Sequence, residues 1–339
     1  MYLSEEVLEL LEEGGEDVKH LRKALGLQES GKIDLSQICC KLLKSPYGLK
    51  QAPRLWQQDV IKFFKKLRLL VSDADPSLFV KKTTNGEIEI LILACVDDMP
   101  IVGDSQTTAD MVRAILSNWK GEDLGPVSVF IGYELTRIGS SIVLSQRRYI
   151  EKLLHRFGMA EANAVKLPVP GSTVLALREN ETDLEEADIL LFRQVVGSLI
   201  YLGNGTRFDI SYAIGQLARN MSNPHRADLE LAKKVLRYLK GTVNLTITYG
   251  KPQDKTHIPL IYTAYTDATF ATEDDRKAFQ GWIILWNRGA VSWRANRQQT
   301  TSQSSTEAEL ITANECAREL AWFEKVMDAF GVKYLEPVI

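Results

Sequence analysis

The chain has 339 residues, 45% of them hydrophobic and 25% charged, and its formal net charge is only −3. This length exceeds what one hydrophobic core usually organises, so we expect two or more domains. The small net charge excludes a global positive field, and any nucleic-acid binding must come from local basic patches. The cysteines and histidines show no ligand spacing, which argues against structural zinc. No apolar run reaches membrane-spanning length, so we expect a soluble intracellular protein, cytoplasmic or nuclear, with no membrane partner.

The first half of the sequence alternates predicted helices and strands. Acidic amphipathic helices are predicted within residues 1–31 and carry no candidate site. The following predicted elements are a helix over 52–70, strands at 78–82 and 88–102, a helix over 106–119, and a hairpin of strands 127–135 and 141–144. Pro53 suits the first turn of its helix. Proline, glycine and acidic side chains predict an extended linker over 164–186.

The second half begins with three predicted helices, over 187–203, 207–221 and 224–240. Asn223-Pro224 favours the start of the third helix. A turn-rich join at 250–258 precedes a β-β-β-α order, with strands at 260–265, 281–286 and 290–294 and a helix over 305–330. Two pairs have capping-box spacing at the start of that helix: Ser304 with Glu307, and Thr306 with Glu309.

Two adjacent aspartates, Asp97 and Asp98, interrupt the apolar run of residues 91–103. Ionised carboxylates are costly in apolar surroundings, and the pattern predicts two buried strands joined at the aspartates. Two carboxylates at a hairpin tip suit Mg²⁺, which takes oxygen ligands and keeps some water. Nucleotidyl transfer uses such ions to stabilise the attacking and leaving oxygens. An ordinary Asp-Asp turn is the alternative, and these two residues alone favour it.

A second motif lies upstream, where residues 44–56 are KSPYGLKQAPRLW. Together with VDDM at 96–99, this string resembles the reverse transcriptase of Ty1/copia-type retrotransposons, whose usual wording is SLYGLKQAPRxW followed by YVDDM. The resemblance continues in the family's order at 74–80, 144–150, 196–202, 221–224, 236–242 and 304–310. It departs from the family at Pro46, where Leu or Val is usual, at Cys95, where Tyr is usual, and at Phe208, where Pro is usual. Pro100 removes a strand donor unless its strand is an edge.

The resemblance implies a fold of α+β and α/β type: a partial reverse transcriptase palm with a helical thumb or connection, then an incomplete ribonuclease H-like domain. The implied segments are an acidic N-terminal part without a clear family match (1–35), the palm-like part (36–163) and the linker (164–186). The thumb or connection (187–250) and the truncated ribonuclease H-like domain (259–339) follow. The implied partners are an RNA template, a DNA primer or an RNA–DNA hybrid, with deoxynucleotides if the chain is active. The implied cofactor is weakly bound Mg²⁺ or Mn²⁺.

Specific roles follow from the same resemblance. Asp97 and Asp98 would be catalytic metal ligands, and Lys50 with Gln51 would contact the nucleotide or the template. The 127–144 hairpin would grip the primer at Gly132-Tyr133, for which a bulged strand is the alternative. A basic stripe on the third helix would hold the nucleic-acid backbone by phosphate contacts. The alternative is a solvated helix face without a function. The residues of the stripe are Lys233, Lys234, Arg237 and Lys240.

The β-β-β-α order resembles the opening of a ribonuclease H fold, which would make Asp267 and Glu309 catalytic metal ligands. In the family a third Asp follows in a CDNQSA string, and an upstream palm Asp lies in DVKTAFLNG. Neither string occurs in this sequence, and Asp17 and Asp34 are poor replacements. We therefore expect impaired catalysis at both sites. The alternatives are a non-catalytic nucleic-acid-binding protein and a degenerate transposon remnant without a selected function.

Overall fold

The computed structural model describes residues 45–46, 48–169, 184–250, 262–270 and 277–332, and we number helices and strands within these ranges. The chain divides into two units, Met1–Phe63 and Phe64–Ile339. The helices predicted within 1–31, residues 170–183 of the predicted linker and the start of the strand predicted at 260–265 lie outside the described residues. Of the described helices, none combines the length and the apolar character that crossing a membrane requires.

Helix α1 spans Ala52–Lys66 and has Pro53 in its first turn, as predicted. It ends at Lys66 rather than at residue 70, because Arg68 adopts a left-handed conformation with a φ of 64°. The Leu69 amide then donates to the Phe64 carbonyl at 3.0 Å, which satisfies a carbonyl of the last turn. Glycine usually marks such a helix end, so the sequence around Arg68 gave no signal for it.

The first sheet contains four antiparallel strands in the order β1-β2-β3-β4, and it lies entirely in the second unit. Its strands are Leu70–Val71, Leu78–Lys82, Ile88–Leu93 and Ile101–Gly103. Helix α2, Ser105–Asn118, follows, and the Asp104 side chain caps it by accepting the Gln106 and Thr107 amides. Phe64 and Phe79 are fully buried here with ring centroids 4.6 Å apart. This packing buries one face of the sheet. The strand order places β4 at an edge of the sheet.

The second sheet has the order β5-β6-β7-β8 and is also antiparallel. Its strands are Val129–Phe130, Tyr133–Ile138, Ser141–Ser145 and Ile247–Tyr249. The single strand predicted over 127–135 is wrong, because a two-residue turn at Ile131-Gly132 divides it into β5 and β6. Strand β8 was not predicted, since its pairing with β7 depends on residues far away in the sequence.

Four helices share one hydrophobic core within the second unit. They are α3 (Arg147–Arg156), α4 (Glu186–Gly203), α5 (Ser211–Arg219, preceded by a 3₁₀ turn at Phe208–Ile210) and α6 (Arg226–Gly241). Helix α6 starts two positions later than predicted, with His225 and Asp228 forming its capping box. Helix α3 lies before the predicted linker, yet its Ile150 and Leu153 belong to this core. Helix α3 and the three later helices therefore share one core.

The last part has the predicted β-β-β-α order. A three-stranded antiparallel sheet of order β11-β10-β9 consists of Thr263–Thr269 (β9), Phe279–Trp286 (β10) and Gly289–Arg297 (β11). Helix α7, Ser305–Ala329, packs on this sheet through a buried cluster of Trp282, Ile284 and Cys316. Ser304 caps the helix by accepting the Glu307 amide, so the first of the two predicted pairs marks its start. The Trp293 indole donates to the Gly203 carbonyl at 2.7 Å and joins β11 to α4.

Candidate metal and nucleic-acid sites

Asp97 and Asp98 lie on the turn between β3 and β4, as the sequence predicted. The Cys95 amide donates to the Asp98 carbonyl at 2.8 Å, and the Asp98 amide donates to the Cys95 carbonyl at 3.0 Å. The turn places Val96 at a φ of 54°, which is a strained value for a β-branched residue. Glycine is the usual residue in this conformation, so no local sequence signal predicts it here. The backbone of the pair is therefore fixed by two hydrogen bonds, while both aspartates are exposed.

Both aspartates were expected between two buried strands, and their exposure corrects that expectation. The prediction of two buried strands is wrong for β4, because Val102 is 64% exposed and the strand is at the sheet edge. Cys95, at the start of the turn, is half-buried. The edge position explains why Pro100 is tolerated: it needs to donate no strand hydrogen bond, and its carbonyl accepts the Leu93 amide at 3.2 Å. The carboxylates thus avoid the cost of burial.

Asp97 and Asp98 suit Mg²⁺ in donor chemistry, because hard cations prefer carboxylate oxygens. Magnesium is commonly bound by one or two carboxylates together with substrate phosphates, and the two aspartates match that kind of donor set. When bound, such an ion supplies charge stabilisation to the reacting phosphoryl oxygens. Across the described ranges, however, no group of three or more His, Cys, Asp or Glu side chains is placed to hold a metal.

Lys50 and Gln51 precede the first residue of α1 and are both exposed. The Gln51 carbonyl accepts the Leu55 amide at 3.1 Å, which places Gln51 at the amino-terminal boundary of the helix. Both residues belong to the unit Met1–Phe63, whereas the aspartates belong to the unit Phe64–Ile339.

The predicted primer-grip pair lies at the tip of the β5–β6 hairpin. Ile131 and Gly132 form its turn with φ values of 48° and 81°, the combination that tight two-residue hairpins require. The Tyr201 hydroxyl of α4 donates to the Ile131 carbonyl at 3.1 Å. A Cβ at Gly132 would collide with that same hydroxyl. Its backbone conformation and its neighbour both exclude a side chain, so Gly132 has a structural reason to be glycine, in a hairpin turn rather than in the bulged strand that was the alternative.

Tyr133 follows the turn and is enclosed by two other elements. Its ring is stacked against that of Tyr201, with centroids 6.5 Å apart. Burial raises the pKa of the Tyr133 phenol, and the neighbouring Tyr201 adds to the effect. Gln146 and Tyr133 both lie too close to Gly205 for a Cβ there. The side-chain oxygen Oε1 of the buried Gln146 accepts a hydrogen bond from the Thr206 amide at 2.8 Å. The hairpin is thus fixed to the end of α4 by contacts that the sequence did not reveal.

The predicted basic stripe on α6 is partly engaged with the protein itself. Lys233 pairs with Glu230 at 3.0 Å. The Arg237 guanidinium donates to the Asn163 carbonyl at 2.6 Å and so links α6 to the segment after α3. All four basic side chains of the stripe are half-buried. Lys240 extends towards α3, where it lines a small depression with His155. The stripe is therefore less available than its sequence pattern suggested.

Asp267 and Glu309 are both exposed, on β9 and α7 respectively. The strand register pairs Asp267 with Gly281 and pairs Thr266 with Trp282. Paired residues share a sheet face, and Trp282 faces α7. Asp267 therefore lies on the sheet face opposite to the helix that carries Glu309. This register does not bring the two predicted ligands together.

The described residues form a mixed α/β structure that contains an exposed carboxylate pair on a strand–turn–strand hairpin, a hairpin tipped by Gly132 and a helical bundle. The chain belongs to the reverse transcriptase family of Ty1/copia-type transposons. A family model described as reverse transcriptase (RNA-dependent DNA polymerase) matches residues 22–170. That match begins inside residues 1–35, the segment for which the motifs gave no counterpart.

Several transposon proteins are similar to this chain over most of its length. It is 34% identical over 331 residues to the retrovirus-related Pol polyprotein from transposon TNT 1-94 of Nicotiana tabacum. The aligned region is 96% of this chain and 24% of that protein. It is 31% identical over 281 residues to a putative transposon Ty5-1 protein of Saccharomyces cerevisiae, covering 81% of this chain and 87% of that one.

A third relative, the retrovirus-related Pol polyprotein from transposon RE1 of Arabidopsis thaliana, is 33% identical over 308 residues, which is 90% of this chain and 20% of that protein. The chain thus spans 24% and 20% of the lengths of the two Pol polyproteins. No solved structure matches it.

Proposed function

We propose that the chain is the reverse transcriptase part of a Ty1/copia-type Pol polyprotein, and that Asp97 and Asp98 are its metal-binding carboxylates. The observation that carries the proposal is the Cys95–Asp98 turn, which presents both carboxylates to solvent from a backbone fixed by two hydrogen bonds. Phosphoryl-transfer chemistry depends mainly on positioning and on charge stabilisation, so a rigid backbone under the carboxylates favours it.

The proposed substrates are a DNA primer on an RNA template, and deoxynucleotides. Gly132-Tyr133 would support the primer strand, because their hairpin is rigid and ends in a turn without a side chain at Gly132. Lys50 and Gln51 would contact the nucleotide or the template, since both are exposed and Lys50 is cationic. These roles are carried over from the family.

A non-catalytic nucleic-acid-binding protein is the second candidate. It is favoured by one observation: within the described ranges no third acidic or histidine side chain joins Asp97 and Asp98 in a metal-binding group. A clamp with two ions normally uses more anionic ligands than this pair provides. Cleavage of an RNA–DNA hybrid is supported by the β-β-β-α order alone, and the placement of Asp267 and Glu309 on opposite sides of the sheet counts against it.

Primer extension on an RNA template, with the full chain, distinguishes the two candidates. The enzymatic proposal, together with the impaired catalysis expected from the sequence, predicts weak extension that Asp97→Asn/Asp98→Asn abolishes. The matched control is Glu122→Gln/Asp123→Asn, another adjacent pair of exposed carboxylates, and it should leave extension unchanged. Extension that survives the change at Asp97 and Asp98 would overturn the site. Hybrid binding without extension by the unmodified chain would favour the second candidate.

A further inference from the structure

Helix α3 carries a row of cations on its solvent face. Ile150, Leu153 and Leu154 are buried in the helical core. The opposite side lines a shallow depression of about 540 Å³ with Arg148, Glu151, Lys152, His155 and Arg156. The spacing of four residues between Arg148, Lys152 and Arg156 puts all three on one side of the helix. The residues 144–150 were predicted only as part of the family resemblance, and no basic row was predicted here.

A second helix extends the same surface. Lys240 of α6 meets His155 and Glu151 at an adjoining depression. Two carboxylates reduce the positive charge of this surface. Glu151 pairs with Arg147 at 2.7 Å, and Glu134 pairs with Arg148 at 2.8 Å. Arg148 keeps 77% of its side chain exposed despite this pair. Among the described residues, Lys152, Arg156 and Lys240 have no ion-pair partner, so the surface keeps a net positive charge in a chain of net charge −3.

We propose that the Arg148–Lys152–Arg156 row together with Lys240, here called the α3 surface, binds the phosphodiester backbone of a nucleic-acid duplex. The inference rests on the proposed function and names a contact surface that shares only Lys240 with the predicted α6 stripe. At a rise of about 1.5 Å per residue the row is about 12 Å long. Consecutive phosphates of one strand lie closer together than the length of this row, so the row can contact more than one of them.

The same surface does not suit a membrane. A helix that binds at a lipid interface buries an exposed apolar face among the acyl chains. The apolar face of α3 is already buried against α4 and α6, and the exposed face is charged. Lys152 and Arg156 are also better placed than Lys233 and Arg237 of α6, which bind Glu230 and the Asn163 carbonyl within the chain.

The test is equilibrium binding of a labelled 20-base-pair RNA–DNA hybrid to the full chain, by fluorescence anisotropy over a range of salt concentrations. Lys152→Gln/Arg156→Gln should raise Kd at least tenfold at low salt. It should also reduce the slope of log K against log salt by about 2, since each lost phosphate contact removes about 0.9. The matched control is Arg318→Gln/Lys325→Gln, an exposed Arg and Lys of α7, which should change neither quantity.

Three results would overturn the inference, and each has a distinct meaning. Equal affinity of the α3 variant and the control variant would refute the α3 surface while leaving the proposed function intact. No hybrid binding by the unmodified chain would refute nucleic-acid binding and the α3 surface together. Binding to anionic lipid vesicles that Lys152→Gln/Arg156→Gln removes, with unchanged hybrid binding, would assign the surface to another partner. As a second variant, Lys240→Gln alone should reduce the salt slope by about 1.

Discussion

The buried ion pair of Arg207 and Asp209 gives the sharpest prediction about stability. The Arg207 side chain is 1% exposed, and its guanidinium donates to the two carboxylate oxygens of Asp209 at 2.9 and 2.7 Å. It also donates to the Thr242 carbonyl at 3.1 Å and the Thr242 hydroxyl at 2.6 Å. The Tyr238 hydroxyl donates to Asp209 at 2.7 Å. The pair thus fixes the 3₁₀ turn before α5 to the end of α6.

Asp209→Asn keeps the shape of the side chain but removes its charge, which leaves a buried guanidinium without a counterion. Removing one partner of a buried ion pair costs about 3–5 kcal/mol. The Asp209 side chain is 24% exposed, and water can reach part of the site, so we expect the lower end, about 3 kcal/mol. This is a large part of the total stability of a domain, which is about 5–15 kcal/mol.

Urea unfolding followed by tryptophan fluorescence measures this free energy. The matched control is Asp188→Asn, which breaks an ion pair with Arg226 at 3.3 Å whose side chains are 32% and 56% exposed. Exposed pairs contribute about 0–1 kcal/mol, so the control should change little. If Asp209→Asn costs no more than Asp188→Asn, the buried network does not stabilise the fold as argued.

Three further expectations concern Gly132, Tyr201 and Tyr249. Gly132→Ala should destabilise the chain more than Gly86→Ala, because both have φ near 80° but only Gly132 faces a hydroxyl; the difference should disappear in a Tyr201→Phe background, and its persistence in urea unfolding would exclude that contact. Tyr201→Phe alone should cost about 1 kcal/mol for the lost hydrogen bond, and no loss in the same unfolding assay would contradict it. Burial raises the pKa of Tyr249 to about 12, above its unfolded value of about 10. Its contribution to stability is therefore complete below pH 10 and is lost as the pH rises towards 12; thermal unfolding of Tyr249→Phe should lose less over that interval, and identical pH profiles would refute this.

The elements with local sequence signals were predicted well. The Asp97-Asp98 turn follows from a short apolar run with two polar residues in it, and the start of α7 follows from Ser304 and Glu307. Both signals act within a few residues. The turn at Ile131-Gly132 was missed because Ile131 is a β-branched residue in a conformation that usually requires glycine or asparagine.

Long-range contacts could not be predicted from one sequence. Strand β8 forms because Ile247–Tyr249 pairs with Ile142–Leu144, and nothing near residue 247 indicates that partner. The Phe208 departure from the family is likewise resolved only in three dimensions, where its ring packs against Trp293 at 5.5 Å between centroids. The face of β9 that carries Asp267 depends on the register with β10, which a shift of one residue would reverse.

Calorimetric titration of the full chain with Mg²⁺, and with Mn²⁺ as a second probe, tests the central claim most directly. We predict weak binding that disappears in Asp97→Asn/Asp98→Asn and persists in Glu122→Gln/Asp123→Asn, because the exposed pair at the β3–β4 turn supplies the carboxylate oxygens. Tight binding that survives the change at Asp97 and Asp98 would contradict the account, since the metal would then be held elsewhere.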